Sequence, residues 1–299
     1  MYPTPDDVYF SFAVTNDSGG SHDGMSVIWL DFDGDNVDST YSNVVSTKVD
    51  LPPIINGVDD GLASEWGDAE TSLTFDASAG SGSGVTGATL RSVYTDQDVY
   101  FFATWTETTA GSHVVSASVT RKQWSFDGAV WTQPGNEDRA FFAFPIVDDA
   151  FASSNGCSGA CHSPEMYTAA GTTWDVWHWK AARTAPTGTA DEKWWDDAGR
   201  HSDQGQSAYF EHTGTEPTYQ FITDPGASAE YPLWNWELVP FDSGAAWASG
   251  DTIPGVVSRM PSGSRADVTA EASFDDGTGT WTLEIKRPRY TGHGDDRQF

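Results

Sequence analysis

Apolar residues along this chain fall into short runs that are rich in β-branched and aromatic side chains. The clearest runs are residues 8–14, 25–30, 88–94, 99–105, 140–146 and 281–285. Such runs favour β-strands, and clusters of Gly, Asp and Ser, as at 76–84 and 275–279, separate them. The pattern predicts an all-β fold, an antiparallel β-sandwich.

Helical patterning is sparse and is best at residues 174–183 and 191–199. Both segments lie in a stretch from about residue 148 to 230 that interrupts the strand pattern. We expect a long, partly helical insertion there. A loop of this length in a compact domain is usually functional, and this one contains both cysteines.

The charge balance narrows the range of partners. The 299 residues include 44 acidic and 15 basic side chains, a formal net charge of −29. Such a surface repels nucleic acid and anionic lipid. Because the acids are dispersed along the chain, they indicate a charged, solvated surface of the kind found in proteins from salty environments. A halophilic source is therefore one expectation.

Membrane insertion is not expected either, because no apolar run reaches the roughly 18 residues that would span a bilayer. The first residues, Met1 to Pro5, lack the basic start and apolar stretch of a signal peptide. The chain is therefore either cytoplasmic or a mature form without its leader.

The segment 157–162, Cys-Ser-Gly-Ala-Cys-His, carries the most specific chemistry. Covalent haem attachment needs two thiols, with a His directly after the second to ligate the iron. Cys157, Cys161 and His162 supply these groups, although three residues separate the cysteines instead of the usual two. The alternatives are a local disulfide, a zinc site that includes His162, and a thiol pair of no consequence.

Four further segments, 53–66, 137–144, 175–193 and 281–288, resemble the haem-binding domain of the ethylbenzene dehydrogenase γ-subunit family. The resemblance covers most of residues 49–299 and implies a β-sandwich that holds haem at one end. It also implies kinship with a carbohydrate-binding sandwich fold. Family members serve as electron-transfer subunits of molybdenum oxidoreductases, and c-type relatives occur.

The family's final strand and ligand-bearing loop are missing after Phe299, but residues 7–24 look like that piece. We therefore divide the chain into 1–47, the displaced strand and loop, and 48–299, the haem-binding domain. A circular permutation, a fragment of a tandem array and a strand donated to a neighbouring subunit all explain this order. The last would link subunits into a filament, because an unpaired strand edge invites pairing.

His162 is the expected proximal iron ligand. The family's b-type members use Met and Lys, and His22 occupies the place where we align the Lys, so the resemblance implies a second axial His. His178, flanked by Trp177 and Trp179, is the next candidate for the sixth ligand, and Met166 is the third. Without the resemblance, His22 is a solvated loop residue, and His178 is equally well a packed core residue.

Residues 31–38, Asp-Phe-Asp-Gly-Asp-Asn-Val-Asp, place carboxylates at alternate positions, as calcium loops do. The downstream Glu of an EF-hand is absent. The segment is therefore either a weak calcium site or, more simply, a solvated Asp-rich turn.

These features predict a monohaem c-type cytochrome that carries electrons, either for an oxidoreductase or within a polymeric haem chain. Haem is attached after export, so the haem hypothesis entails a periplasmic or extracellular location and a redox partner protein. The alternatives are a haem-free carbohydrate-binding domain and a structural surface subunit. Catalysis is not expected, since the sequence has no nucleophile elbow, phosphate loop or zinc-protease helix.

Overall fold

The computed structural model describes residues 4–15, 24–61, 65–67, 69–75, 85–106, 123–133, 135–161, 166–221 and 232–299. Within them, no helix reaches seven residues. The strands are β1 (Val8–Thr15), β2 (Gly24–Phe32), β3 (Ser42–Lys48), β4 (Thr71–Thr74), β5 (Gly87–Tyr94), β6 (Asp98–Thr106), β7 (Gln123–Phe126), β8 (Trp131–Thr132), β9 (Arg139–Val147), β10 (Thr173–Lys180), β11 (Asp191–Asp196), β12 (Gly199–Ser202), β13 (Tyr209–Glu211), β14 (Tyr219–Phe221), β15 (Leu233–Trp234), β16 (Leu238–Pro240), β17 (Thr252–Pro254), β18 (Val256–Ser258), β19 (Thr269–Asp275) and β20 (Thr280–Pro288). One helical turn, α1 (Ser158–Cys161), and two 3₁₀ turns (Ala185–Thr187 and Gly263–Ala266) complete the set. No described helix is long and apolar enough to cross a membrane.

Twelve of the described strands form one sheet, in the order β12-β11-β10-β9-β1-β2-β3-β5-β6-β20-β19, with β4 paired to β5. The β2–β3 and β3–β5 pairs are parallel and the other pairs are antiparallel. The described strands therefore form a curled mixed sheet with three small sheets beside it. The prediction of an all-β fold is confirmed, whereas the antiparallel β-sandwich is not.

The curl brings the two halves of the sheet face to face around one hydrophobic cluster, which we call the inner core. Its larger buried members include Phe10, Phe12, Phe101, Trp105, Phe142, Phe144, Trp177, Trp179 and Leu283. Rings from the two halves meet directly: Phe10 and Phe101 have centroids 5.5 Å apart, and Trp179 and Trp281 have centroids 5.1 Å apart. Burial of these large rings supplies most of the driving force for the curl.

The prediction of helices at 174–183 and 191–199 is wrong, because residues 173–180 and 191–196 form β10 and β11. Trp177 and Trp179 point into the inner core, whereas Trp174 and Val176 lie in a second cluster on the other face. β10 is buried on both faces, so its sequence lacks the apolar–polar alternation that distinguishes a half-buried strand from a helix. β10, β11 and β12 extend the main sheet beyond β9, so this part of the predicted insertion belongs to the sheet.

The strand β1 lies in the middle of the sheet, hydrogen-bonded to β2 on one side and to β9 on the other. Its edges are therefore paired within its own chain. The division of the chain near residue 47, and its three explanations, stay predictions.

A series of turns from Asp148 to Cys157 lies against β1 and β2 and positions the first cysteine. Gly156 is the closest point of approach, with a left-handed φ of 55°. A Cβ at this position would overlap the hydroxyl of Ser11 and lie 2.9 Å from Cγ2 of Val27. Only glycine therefore lets this segment pack against the sheet.

Gly156→Ala is expected to lower the free energy of unfolding by about 1–3 kcal/mol, because it adds backbone strain and overpacking at once. Gly294→Ala is the matched control. Gly294 has a φ outside the left-handed region, and a Cβ there meets no atom within 4 Å. Equilibrium denaturant unfolding of both variants gives the comparison, and equal stability for the two would contradict this account of Gly156.

Candidate functional site

The Cys157–Cys161 segment packs on the outer face of the sheet, over β1, β2, β9, β10 and β11. A second hydrophobic cluster, which we call the outer cluster, forms there. It contains Ala13, Met25, Phe141, Ala143, Phe151, Cys157, Ala160, Trp174, Val176 and Trp195, with Tyr9, Val27 and Met166 packed against it. Side chains alternate along a strand, so the same strands contribute to both the inner core and the outer cluster.

Cys157 is held in a defined position within this cluster. Its backbone N–H donates to the Ser11 hydroxyl at 3.0 Å, and its side chain is fully buried. The Cys157 thiol is free, and its Sγ lies 3.9 Å from Sδ of Met25. The Cys157 thiol therefore lies in an apolar environment that also contains a thioether.

Met25 is a candidate functional residue that the sequence analysis missed. It is the second residue of β2, it is 4 % exposed, and its thioether is a possible iron ligand. The sequence offers one clue to its role, because Met25 follows the candidate ligand His22 by three residues. Nothing in the sequence indicates that β2 lies beside a cysteine some 130 residues later.

Two of the predicted ligands, His22 and His162, lie outside the described residues. The backbone of Cys161 ends α1, and the position of its side chain is likewise outside the description. The structure therefore describes the thiol of Cys157 and the backbone that leads from it to the second cysteine. The attachment of haem at this segment stays a prediction.

His178 lies on β10, two residues after Val176 and on the same outer face. It is half-buried, and its ring packs edge-on against Phe141 with centroids 5.6 Å apart. Burial lowers the pKa of His178 well below its usual value, and the charges of Lys180 and Arg139 add to the effect. The imidazole is therefore neutral at pH 7, which is the form that ligates a metal. The same geometry suits a packed structural residue.

Met166, the third candidate, is half-buried at the margin of the outer cluster and has a left-handed φ of 62°. Its Sδ lies 4.0 Å from Nη1 of Arg200. Met166 thus lies at the edge of the same apolar surface, five residues after Cys161 in the sequence.

A cavity of about 260 Å³ borders the outer cluster at Met25. Its lining residues are Met25, Ser26, Val27, Thr40, Tyr41, Ser42, Thr74 and Asn155. The volume is below the roughly 300–1,000 Å³ of typical small-molecule sites, so a haem at Cys157 requires side chains of the outer cluster to move apart. The donor set itself fits a haem, since a free thiol, a thioether and an aromatic surface are the groups that such sites combine.

The Asp-rich turn at 31–38 forms a hydrogen-bonded loop. Asp31 is buried and accepts backbone N–H groups from Gly34, Asp35 and Asn36 at 3.1–3.4 Å. One oxygen each of Asp7, Asp31 and Asp35 lie within 4.8 Å of one another. Because the oxygens of Asp31 already stabilise the turn, the solvated-turn interpretation accounts for the segment, and calcium binding here stays a prediction.

Comparison with known proteins completes the description of the site. No curated protein matches the chain. The model of the family described as ethylbenzene dehydrogenase matches residues 63–299, a region that includes Cys157, Cys161, His162, Met166 and His178, and the chain therefore belongs to this family.

Proposed function

We propose that this protein is an extracytoplasmic monohaem c-type cytochrome that transfers electrons. The observation that supports the proposal most is the position of the buried Cys157 thiol, which is held beside Met25 on an apolar face of a member of the ethylbenzene dehydrogenase family. Four residues later the chain has a second cysteine and then a histidine. Membership of this family supports a relation to oxidoreductases. The covalent attachment of haem is our own proposal.

In this proposal Cys157 and Cys161 form thioether bonds to the vinyl groups, and His162 is the proximal ligand. When bound, the haem supplies one-electron chemistry at its iron. The protein's own contribution is the outer cluster, whose apolar side chains exclude water from the attachment point. Phe151 and Trp174, which pack edge-on with centroids 5.1 Å apart, form part of that surface.

His22 is our first choice for the sixth ligand. The family resemblance aligns it with the Lys that ligates iron in b-type members. In the sequence it lies three residues before Met25, whose Sδ is 3.9 Å from the Cys157 thiol. His178, Met25 and Met166 are the alternatives, and each belongs to or adjoins the outer cluster.

The net negative charge of the chain indicates which partners and solution conditions suit it. A net charge of −29 favours a redox partner with a positive docking surface and solution conditions of high ionic strength. We therefore propose a halophilic source. Because haem is attached after export, the haem proposal also entails a periplasmic or extracellular location, with the protein serving an oxidoreductase or a polymeric haem chain.

A haem-free carbohydrate-binding function is the second candidate, supported by a different part of the surface. Trp236 is 59 % exposed and stacks on Trp234 with ring centroids 4.6 Å apart. Exposed, ordered indole rings are the usual platforms for sugar rings. This function predicts a colourless protein that binds polysaccharide and loses binding in Trp236→Ala.

Covalent attachment of haem can be tested by whether the pigment stays with the denatured protein. The wild-type protein, expressed with haem-attachment machinery, is expected to show a sharp reduced α-band and to keep its pigment after denaturation. Cys157→Ser/Cys161→Ser should lose all pigment on denaturing extraction, because no thioether bond can form. Ser158→Ala, in the same helical turn, is the control and should retain the pigment. A colourless wild-type protein would contradict the cytochrome proposal and favour the carbohydrate-binding function.

The sixth ligand of the iron can be identified by single substitutions of the candidate residues. His22→Gln is expected to change the absorption spectrum of the reduced protein and to open the iron to carbon monoxide, because one axial position is vacated. His178→Gln, Met25→Leu and Met166→Leu should each leave the spectrum unchanged. A spectral change in one of these three, with none in His22→Gln, would assign the ligand to that residue instead.

A further inference from the structure

Four acidic side chains are buried together at one end of the inner core, away from the outer cluster. Asp175 lies on β10, Glu192 on β11, Asp203 directly after β12, and Asp296 near the C-terminus. None is more than 4 % exposed. One oxygen each of Glu192, Asp203 and Asp296 lie within 4.8 Å of one another, so these three carboxylates converge on a common point.

Most of the oxygens in this group have no hydrogen-bond donor among the described residues. Both carboxylate oxygens of Asp203 and both of Asp296 are buried without a hydrogen bond, as is Oε2 of Glu192. Buried carboxylate oxygens normally accept hydrogen bonds or coordinate a metal, because desolvation without a partner is costly. Asp203 therefore has no hydrogen-bond donor and no ion-pair partner among the described residues.

Arg287, a fully buried cation nearby, is already engaged. Arg287 on β20 donates to Asp175, to Oε1 of Glu192 at 2.9 Å and to the carbonyl of Arg297. It makes no ion pair with Asp203 or Asp296 among the described residues. Its single charge therefore leaves the four carboxylates with a net charge of −3 when all are ionised.

The other charged groups around the cluster do not replace that missing partner. His293 Nδ1 lies 3.4 Å from Oδ2 of both Asp267 and Asp296, at the rim of the cluster. Lys193 pairs with Asp191, and Nη1 of Arg297 donates to the Pro145 carbonyl. Asp295 adds a further negative charge.

The surroundings disfavour ionised carboxylates. Burial raises the pKa of Asp203 to about 8, with repulsion from Asp175 and Asp296 adding to the effect. Burial also raises the pKa of Glu192 well above its usual value. Either protons or a cation must neutralise these groups, and the two possibilities differ in their response to added metal.

We infer that Glu192, Asp203 and Asp296 form a binding site for a divalent cation, and that the cation is Ca²⁺. Three converging carboxylates make an all-oxygen donor set, which suits hard cations and not zinc or copper. Mg²⁺ keeps several waters and uses one or two carboxylates. A buried site with three carboxylates is the kind of protein cage in which Ca²⁺ is held.

This site is distinct from the Asp-rich turn at 31–38 and independent of haem. It would join three parts of the chain: β11, the residue after β12, and the C-terminal segment. Bound Ca²⁺ would therefore attach residues 295–299 to the main sheet. The predicted effect is on stability, and it does not require haem to be bound.

The test is a thermal melt of the purified protein in EDTA and then in excess Ca²⁺, with Asp203→Asn as the variant. We expect Ca²⁺ to raise the melting temperature of the wild-type protein by about 5 °C or more at 100 times its Kd. Asp203→Asn should lose most of this rise. In EDTA the variant should melt at the same temperature as the wild type or higher, because a buried, unpaired carboxylate has been removed.

Asp35→Asn, in the Asp-rich turn, is the matched control and should keep the full Ca²⁺-dependent rise. Isothermal titration with Ca²⁺ and with Mg²⁺ gives the stoichiometry and the preference between the two ions. The proposal is overturned if Ca²⁺ has no effect on the wild type, or if Asp35→Asn and not Asp203→Asn abolishes the rise. It is also overturned if Asp203→Asn melts lower in EDTA yet still responds fully to Ca²⁺, since Asp203 would then be structural only.

Discussion

The guanidinium of Arg287 joins the two ends of the curled sheet. It projects from β20, next to the last strand at one end, and donates to carboxylates on β10 and β11 at the other end. Its charged carbon also lies 4.8 Å from the ring of Trp177, so the cation has an aromatic neighbour as well as acidic ones. An ion pair desolvated in this way stabilises little by itself, but loss of either partner leaves an uncompensated buried charge. The interaction therefore fixes which residues of the two ends face each other.

Several strands between those ends, among them β1, β6, β9 and β10, are buried on both faces. This burial accounts for both the successes and the errors of sequence-based prediction. Residues 8–14, 99–105 and 140–146 were predicted as strands and form β1, β6 and β9, because β-branched and aromatic residues dominate them. Residues 174–183 contain similar residue types, but their pattern predicts a helix, because burial on both faces removes the alternation that marks a half-buried strand. The parallel pairing of β3 with β2 and β5 could not be predicted, since local pattern carries no information on which strands become neighbours.

In the candidate site too, features that depend on neighbouring residues can be predicted from the sequence, whereas contacts between distant residues cannot. The segment from Cys157 to His162 can be recognised as a candidate haem-attachment site from the sequence, because its chemistry depends on residues close in sequence. Met25 comes next to Cys157 only through the pairing of β1 and β2 and the close approach at Gly156. The carboxylates Glu192, Asp203 and Asp296 are still less predictable. In a chain with 44 acidic residues, no spacing distinguishes the three that the fold buries together.

The central position of β1 bears on how the protein can be divided. The family match begins at residue 63, whereas β1, β2 and β3 all precede it and occupy the middle of the sheet. A recombinant fragment cut to the matched region would lose these three strands. It would expose the backbone edge of β9 and that of β5 from Ser92 to Tyr94. Exposed edges of that kind promote association between chains. The smallest unit that can be expected to express as a monodisperse protein therefore includes the residues from β1 onward.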